Sequence, residues 1–370
     1  MRKAALLLVI CLSLCAGCIS GYEAGAENSQ TIPESQRLRD ESDIPGAWDT
    51  VQREVEDDPN DPLLAYQAAL LAVTVEPEHA QPWIDNAIGS NPDYLTAMQP
   101  VLEAMQALEA DPAYFRVRMA QALGSLYSWD LAAYLLQESI AISPEYVDAW
   151  ALLGEAHQQM GLAGGDELER AESLDPRADL VRALMGLYWR RQGQPDQALV
   201  YYDALAQAHP QEAEWQMEAG ASLAEMGDLV SALVRYQNGV TLEPQSSEAW
   251  LGLAAFSLQY SVDLSQIGLP AARQAVRYSP ASAEAVTTLG LILATQGDED
   301  TARRFFLRSI VIDPLYFSPV IYLAQLELSA GNVSRSRLYL EYVIDHAVPG
   351  DPILEQAGQL LEQVEGSSAN

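Results

Sequence analysis

Apolar residues recur at helical spacing along most of this chain, and prolines interrupt them at regular intervals. Successive prolines between residues 112 and 349 are separated by 32 to 36 residues, and they are Pro112, Pro144, Pro176, Pro210, Pro244, Pro280, Pro314 and Pro349. A period near 34 residues is typical of a repeated helix–turn–helix unit. The pattern therefore predicts seven paired-helix units over residues 113–349.

Within these units, four residue types return at fixed distances from the proline. The first helix contains a glycine, which is Gly154, Gly186, Gly220 or Gly290, and the turn contains a second glycine, which is Gly193, Gly227, Gly297 or Gly331. The second helix contains an alanine, which is Ala198, Ala232 or Ala302, and an aromatic residue, which is Tyr202, Tyr236 or Phe306. Small residues let two helices approach closely, the aromatic ring fills the space opposite, and the middle glycine permits the turn. Because one unit cannot bury its own apolar face, neighbouring units are expected to stack.

Trp150, Leu153 and Gly154 match the aromatic–Leu–Gly helix start of the tetratricopeptide repeat family, which the whole array resembles. The resemblance implies an all-α fold, a right-handed α-solenoid of helix–turn–helix repeats with about seven clear repeats. Two units depart from the regular pattern. The unit at 145–176 has a shortened second helix, and the unit at 245–280 has a long loop over residues 260–268 before Pro270 opens its second helix.

The flanking segments are also predicted to be helical. Residues 44–112 are interpreted as degenerate repeats, with helices at 44–58, 62–74 and 78–88, and either one extra helix at 94–108 or a bent pair around Pro100. Residues 350–370 are predicted to form a capping helix at 353–364 followed by a frayed tail from residue 366. These helices would cover the open ends of the stack.

The first residues resemble a secretion signal. Arg2 and Lys3 precede an apolar run over residues 4–14, and Cys18 follows small residues in a box similar to that of bacterial lipoproteins. Cys15 stands where that box usually has leucine, so cleavage without lipidation is the alternative. We expect a signal peptide at 1–17, a lipid on Cys18, a flexible tether over 18–43, and anchoring on the extracytoplasmic side of a membrane.

Composition narrows the classes of function. The chain has 52 acidic and 20 basic residues, a net charge of −32, which disfavours binding to nucleic acid or to anionic lipid headgroups. All three cysteines lie in the first eighteen residues, so no disulfide or thiol chemistry is expected beyond them. The histidines have no metal-binding spacing, and no catalytic or nucleotide-binding motif is present. The sequence predicts no enzyme, no metal site and no cofactor.

The family resemblance implies that the first helix of each unit lines a binding groove. The groove candidates are Tyr114, Gln121, Gln158, Leu187, Arg190, Arg191, Met217, Leu251, Thr287 and Gln325, with Glu214, Glu248 and Glu284 on the same frame. Arg190 and Arg191 form a cationic pair that either binds a planar anion such as a peptide carboxylate or pairs with neighbouring acids. The chaperone-binding members of the family hold a C-terminal carboxylate with Lys and Asn at groove positions. In this sequence, those positions contain neither residue.

The main functional hypothesis is a non-enzymatic scaffold that binds peptide or helical segments of other envelope proteins, or that assembles a complex such as a pilus or secretion apparatus. Two other classes stay open. One is a small-ligand or glycan receptor that uses Tyr114, Trp189 and Trp215, and the other is a hydrolase or transferase with an active site between repeats. No oligomeric state is predicted.

Overall fold

A computed structural model describes residues 33–348 and 350–368, with the side chains of residues 365–368 excepted. The described residues contain 21 α-helices and no strand, which confirms the predicted all-α class. Helices α1 to α11 are Glu34–Asp40, Ile44–Asp57, Pro62–Val75, Gln81–Ser90, Tyr94–Ala97, Gln99–Met105, Pro112–Ser125, Trp129–Ile142, Val147–Gln159, Gly165–Leu174 and Asp179–Arg191. Helices α12 to α21 are Pro195–Ala208, Ala213–Glu225, Leu229–Leu242, Ser247–Gln259, Leu269–Tyr278, Ala283–Thr295, Glu299–Ile312, Ser318–Ser329, Val333–His346 and Ile353–Ser368. The predicted signal peptide, Cys18 and the tether up to residue 32 lie outside the described residues.

The helices form two compact units, of which the first ends at Tyr188 and the second begins at Trp189. In the first unit, α1 to α4 pack in chain order, and so do α6 to α10. The first helices of two successive pairs, α7 and α9, also contact each other. Each helix therefore contacts mainly its neighbours in sequence, as the stacking of a solenoid requires.

The second unit repeats this order over a longer stretch. Helices α12 to α21 pack consecutively, and first helices contact the next first helix in the pairs α13–α15, α15–α17 and α19–α21. A layer of first helices thus runs along one side of the unit. This layer is the surface on which the sequence analysis places the binding residues.

The recurring small and aromatic residues pack as predicted in the second unit. Ala232 and Ala302 are fully buried, and the rings of Tyr236 and Phe306 are 8% and 1% exposed. A Cβ atom added at Gly220 would lie 3.2 Å from the Tyr236 ring. The close approach of paired helices therefore depends on the missing side chain at these glycines.

The turn inside each regular pair depends on backbone conformation. Gly193, Gly227, Gly297 and Gly331 all have positive φ, between +68° and +86°. Residues with a Cβ rarely adopt this left-handed conformation, so glycine at the turn is a requirement of geometry. The predicted role of this column is confirmed.

Most of the periodic prolines follow a helix, but Pro112 begins one. Asp175, Glu243 and Asp313, each directly before a periodic proline, have ψ between 69° and 100° and end the preceding helix. Pro112 instead occupies the first turn of α7, and the Asp111 carboxylate caps this helix by accepting from the backbone N–H groups of Ala113 and Tyr114. The first unit of the phased array thus begins at Pro112.

The structure corrects the C-terminal part of the predicted tether. Residues 34–40 form helix α1, which packs on α2. The backbone N–H and the hydroxyl of Ser35 donate to the Glu54 carboxylate, and Arg39 donates two hydrogen bonds of 2.8 Å to Asp130. The segment was missed because its sequence is polar, and distant partners supply the contacts that hold it.

Three other local predictions are refined. Residues 94–108 form the bent alternative, two short helices separated at Met98, with Pro100 in the first turn of α6. Residues 264–268, predicted as loop, form a π-helical turn that runs into α16, where Pro270 lies in the first turn as expected. The capping helix α21 extends to Ser368, so the tail predicted from residue 366 is helical as far as that residue.

Candidate functional site

The first helices of the first unit hold four of the predicted groove residues, in very different environments. Tyr114 is 43% exposed, whereas Leu187 is only 3% exposed and belongs to the core. Gln121 and Gln158 are half-buried, and Gln158 Nε2 donates to the backbone oxygen of Gly154 over 3.3 Å. Of these four residues, Tyr114 is the one that offers a large surface to a partner.

Tyr114 lines a cleft of about 480 Å³ between α6 with the turn that follows it and the first half of α7. The cleft is lined by Gln99, Glu103, Gln106, Ala107, Tyr114 and Arg118. An aromatic ring, carboxamides, one carboxylate and one guanidinium therefore meet in a single concave surface. The lining is more polar than that of a typical small-molecule pocket, and Tyr114 is its one aromatic side chain.

Arg118 lies one helical turn after Tyr114 on the same face of α7. Its Nη1 atom donates to Gln121 Oε1 over 3.1 Å, and no carboxylate of the described residues forms an ion pair with it. Burial raises the pKa of the Tyr146 phenol, and Asp148, Tyr114 and Asp111 add to the rise while Arg118 opposes it. The cleft therefore contains a half-buried cation whose hydrogen-bonded side-chain partner is neutral.

Most of the cleft was missed by sequence reasoning. Gln99, Glu103, Gln106 and Ala107 lie in the short interval before Pro112, where the repeat register is lost. Arg118 falls between two predicted groove positions. The short interval itself was the available signal, since an incomplete unit leaves the adjoining helix partly uncovered.

In the second unit, Arg190 does not present its guanidinium to a ligand. It donates to Glu218 over 2.9 Å and to Glu225 over 2.9 and 2.5 Å, and its side chain is 14% exposed. Burial opposes the charge, but the two carboxylates outweigh this effect and raise the pKa of Arg190. Of the two alternatives predicted for Arg190, pairing with neighbouring acids is the one observed, because two carboxylates of the next first helix already accept from its guanidinium. Its predicted contact with an anion of a partner is therefore corrected. Arg191, the other member of the pair, is half-buried.

Met217 and Thr287 also prove to be packing residues. The Met217 side chain lies against Gly239 and Gly252, where an added Cβ at Gly239 would stand 2.9 Å from Met217 Cγ. Thr287 is 1% exposed, and its hydroxyl donates to Ser309 Oγ on α18 over 2.8 Å. Leu251 and Gln325 are half-buried on α15 and α19. The place of a residue in the repeat therefore did not predict whether a neighbouring helix covers its side chain.

Carboxylates gather at the start of α13. Glu212 accepts from Trp215 Nε1, Glu243 accepts from the Ala213 backbone N–H, but Oε1 of Glu214 is buried without a hydrogen-bond partner among the described residues. Burial raises the pKa of Glu214 to about 7, and Glu218, Glu212, Glu248 and Glu243 add to the rise. Burial and Glu248 also raise the pKa of Glu284.

Replacing Glu214 with glutamine is expected to stabilise the protein by about 1 kcal/mol at pH 8 and by little at pH 4. The folded state holds the Glu214 proton up to about pH 7, whereas the unfolded chain releases it near pH 4.5. Stability is therefore lost as the pH rises between these values, and glutamine removes the loss. Urea unfolding of both chains across this range measures the effect, with Glu169→Gln on the exposed face of α10 as control. A gain that is equal at both pH values would contradict the prediction.

No helix within residues 33–348 and 350–368 is both long enough and apolar enough to cross a membrane.

The consecutive helical pairs define a helical-repeat protein of the α-solenoid class. The family model for the tetratricopeptide repeat matches residues 183–240 and 264–316, so these segments are similar to tetratricopeptide repeats. A crystal structure of a tetratricopeptide repeat protein from Parabacteroides merdae matches 69% of this chain and 99% of its own, with 12% identity and a TM-score of 0.51. This similarity supports the fold.

Two further solved structures are similar over shorter stretches. MamA matches 44% of this chain and 94% of its own, with 22% identity and a TM-score of 0.36. PilW, a widely conserved type IV pilus biogenesis factor, matches 56% of this chain and 96% of its own, with 15% identity and a TM-score of 0.45. A comparison with curated proteins finds no match.

Proposed function

We propose that this chain is a non-enzymatic scaffold that binds a segment of another protein in the cleft between α6 and α7. The observation that carries the proposal is the exposed Tyr114 ring in a cleft of about 480 Å³ lined by polar side chains. Tetratricopeptide repeat proteins in general mediate contacts between proteins, and stacked repeats offer extended surfaces for that purpose. The cleft is large enough for a few residues of an extended or helical segment.

The cleft is the preferred contact surface because three of the groove candidates of the second unit are engaged in contacts within the protein. There, Arg190 binds its own carboxylates, and Met217 and Thr287 pack between helices. In the first unit, Tyr114 and Arg118 keep part of their surface uncovered. A partner would therefore gain most of its contact energy from the aromatic ring and the guanidinium.

A photoreactive p-benzoylphenylalanine placed at position 114 is expected to cross-link one defined segment of a partner in cells that produce the chain. The matched control carries the same group at Ile142, which is 49% exposed on α8, the second helix of the same pair. Mass spectrometry of the adducts identifies the segment. Equal adducts at both positions, or none at position 114, would contradict the proposal.

The cellular setting that we propose is the extracytoplasmic face of a membrane, with the chain anchored through a lipid on Cys18. In that position the scaffold would hold envelope proteins together, as in a pilus or a secretion apparatus. The proposal is supported by the first eighteen residues, in which two basic residues are followed by an apolar run and then by small residues before Cys18. Cys18→Ser is expected to move the chain from the membrane fraction to the soluble fraction. Retention of the variant in the membrane fraction would contradict lipid anchoring at this residue.

A glycan receptor is the less favoured alternative. Trp215, one of the three rings predicted for sugar stacking, is 1% exposed, and its Nε1 atom donates to Glu212 over 3.0 Å. A buried ring offers no face to a sugar. Calorimetric titration with glycans separates the two functions, since a protein-binding scaffold is expected to give no heat of binding.

A further inference from the structure

Resting on the proposed function, we propose that Arg118 is a carboxylate-binding subsite of the cleft, so that the bound segment carries one acidic side chain next to an apolar residue. Several other half-buried arginines are bound to carboxylates, such as Arg39 to Asp130, Arg190 to Glu218 and Glu225, and Arg235 to Asp203, whereas Arg116 and Arg182 donate to backbone carbonyl oxygens. Arg118 is half-buried and donates to the neutral Gln121 side chain.

The acids near the cleft are engaged in other bonds. Asp111 caps α7 and accepts from the backbone N–H groups of Ala113 and Tyr114. Glu103 lines the cleft, but its Oε1 atom accepts from Gln99 Nε2 over 3.2 Å, and the carboxylate forms no ion pair with Arg118 in the part of the chain described. Because a guanidinium presents several N–H groups in a rigid fork, one hydrogen bond to Gln121 leaves donors for a planar carboxylate.

The position of Tyr114 adds an apolar requirement. Tyr114 and Arg118 are four residues apart on α7, so both side chains face the same part of the cleft. A ligand whose carboxylate reaches Arg118 therefore places an adjacent side chain against the exposed Tyr114 ring.

The same electrostatics limit the number of acids. Glu103 stands in the cleft, and the whole chain carries a net charge of −32. A run of acidic residues would bring further carboxylates close to Glu103, whereas a single carboxylate is matched by the single guanidinium. The inferred ligand is thus a mostly neutral segment with one Asp or Glu.

Selection of a phage-displayed random dodecapeptide library on the purified full chain tests this inference. The wild-type chain is expected to enrich peptides with a single Asp or Glu beside an apolar residue, and Arg118→Glu is expected to enrich Lys or Arg at that position. The matched control is Arg170→Glu, an exposed arginine on α10 of the same unit, which should select the same peptides as wild type.

The selected peptide is then measured by calorimetry in two forms, with its acidic residue present or replaced by the corresponding amide. The amide form is expected to bind about tenfold more weakly than the acidic form to the wild-type and Arg170→Gln chains. The two forms are expected to bind equally to Arg118→Gln. Circular dichroism checks that each variant keeps its helix content.

Peptides that bind and compete with the cross-linking at position 114, but show no preference for one acid, would overturn the inference and leave the proposed function intact. An acidic preference that persists in Arg118→Gln would also overturn it. If the wild-type chain retained no peptide and position 114 gave no cross-link, the proposed function would fail and the inference with it.

Discussion

Replacing Glu327 with alanine is expected to lower the free energy of unfolding by about 1–3 kcal/mol. The Glu327 side chain is 1% exposed, where it pairs with Arg303 on α18 and accepts from Asn332 Nδ2 over 2.7 Å. It thereby joins α18, α19 and the start of α20. Alanine would leave the Arg303 guanidinium without its anion and the interior with a cavity, and urea unfolding followed by circular dichroism measures the loss.

The double replacement Arg303→Met with Glu327→Leu is the control for this prediction. Apolar side chains of similar volume remove both charges together, so most of the stability is expected to return. Burial acts to raise the pKa of Glu327, but hydrogen bonds from Asn332 and Arg303 outweigh it and hold the pKa below its usual value. The stability that the pair contributes is therefore lost as the pH falls through that lowered pKa. A loss below about 1 kcal/mol for the single variant would show that the ion pair is dispensable.

Replacing Gly290 with alanine is expected to cost about 2 kcal/mol, although alanine is the better helix former. The added Cβ would stand 2.7 Å from Phe306 Cε1 and 3.3 Å from Phe305 Cβ. Phe306 is 1% exposed and has no space into which to move. Either the ring leaves its rotamer or α17 and α18 separate, and both changes lower the free energy of unfolding.

Gly89→Ala is the matched control, because Gly89 is an exposed glycine in α4 with no atom within 4 Å of an added Cβ. That change is expected to stabilise the protein by up to about 1 kcal/mol through helix propensity. In a Phe306→Leu background the cost of Gly290→Ala should shrink, since the clashing ring is gone. Equal effects of alanine at positions 89 and 290 would contradict the role assigned to the small-residue column.

Much of the repeat could be predicted from one sequence, because its determinants are local and recur. The glycine at the turn needs positive φ wherever the chain reverses between paired helices, and Gly227 and Gly297 meet this need in separate units. The pairing of Gly290 with Phe306 follows from the same register. Repetition made these signals readable, since each unit confirmed the others.

The candidate site could not be predicted in the same way. Arg190 finds its carboxylates 28 and 35 residues further along the chain, so the choice between binding an external anion and pairing with the protein's own acids depended on a tertiary contact. Thr287 faces Ser309 on the paired helix, although the helical frame placed it in the groove. The cleft beside Arg118 lies next to α6, a short helix outside the regular units, and the periodicity of the sequence does not predict it.

The amino-acid sequence by itself determined that this protein is a stack of paired helices with a period near 34 residues. Helix formation, turn chemistry and the packing of neighbouring helices all act between residues close in the chain. Only the tertiary structure decided which polar side chains are already bound and which face an open cleft. Whether a polar side chain is paired or exposed depends on burial and on charges brought together from distant positions in the chain. The pattern of residues along one helix does not predict either of these.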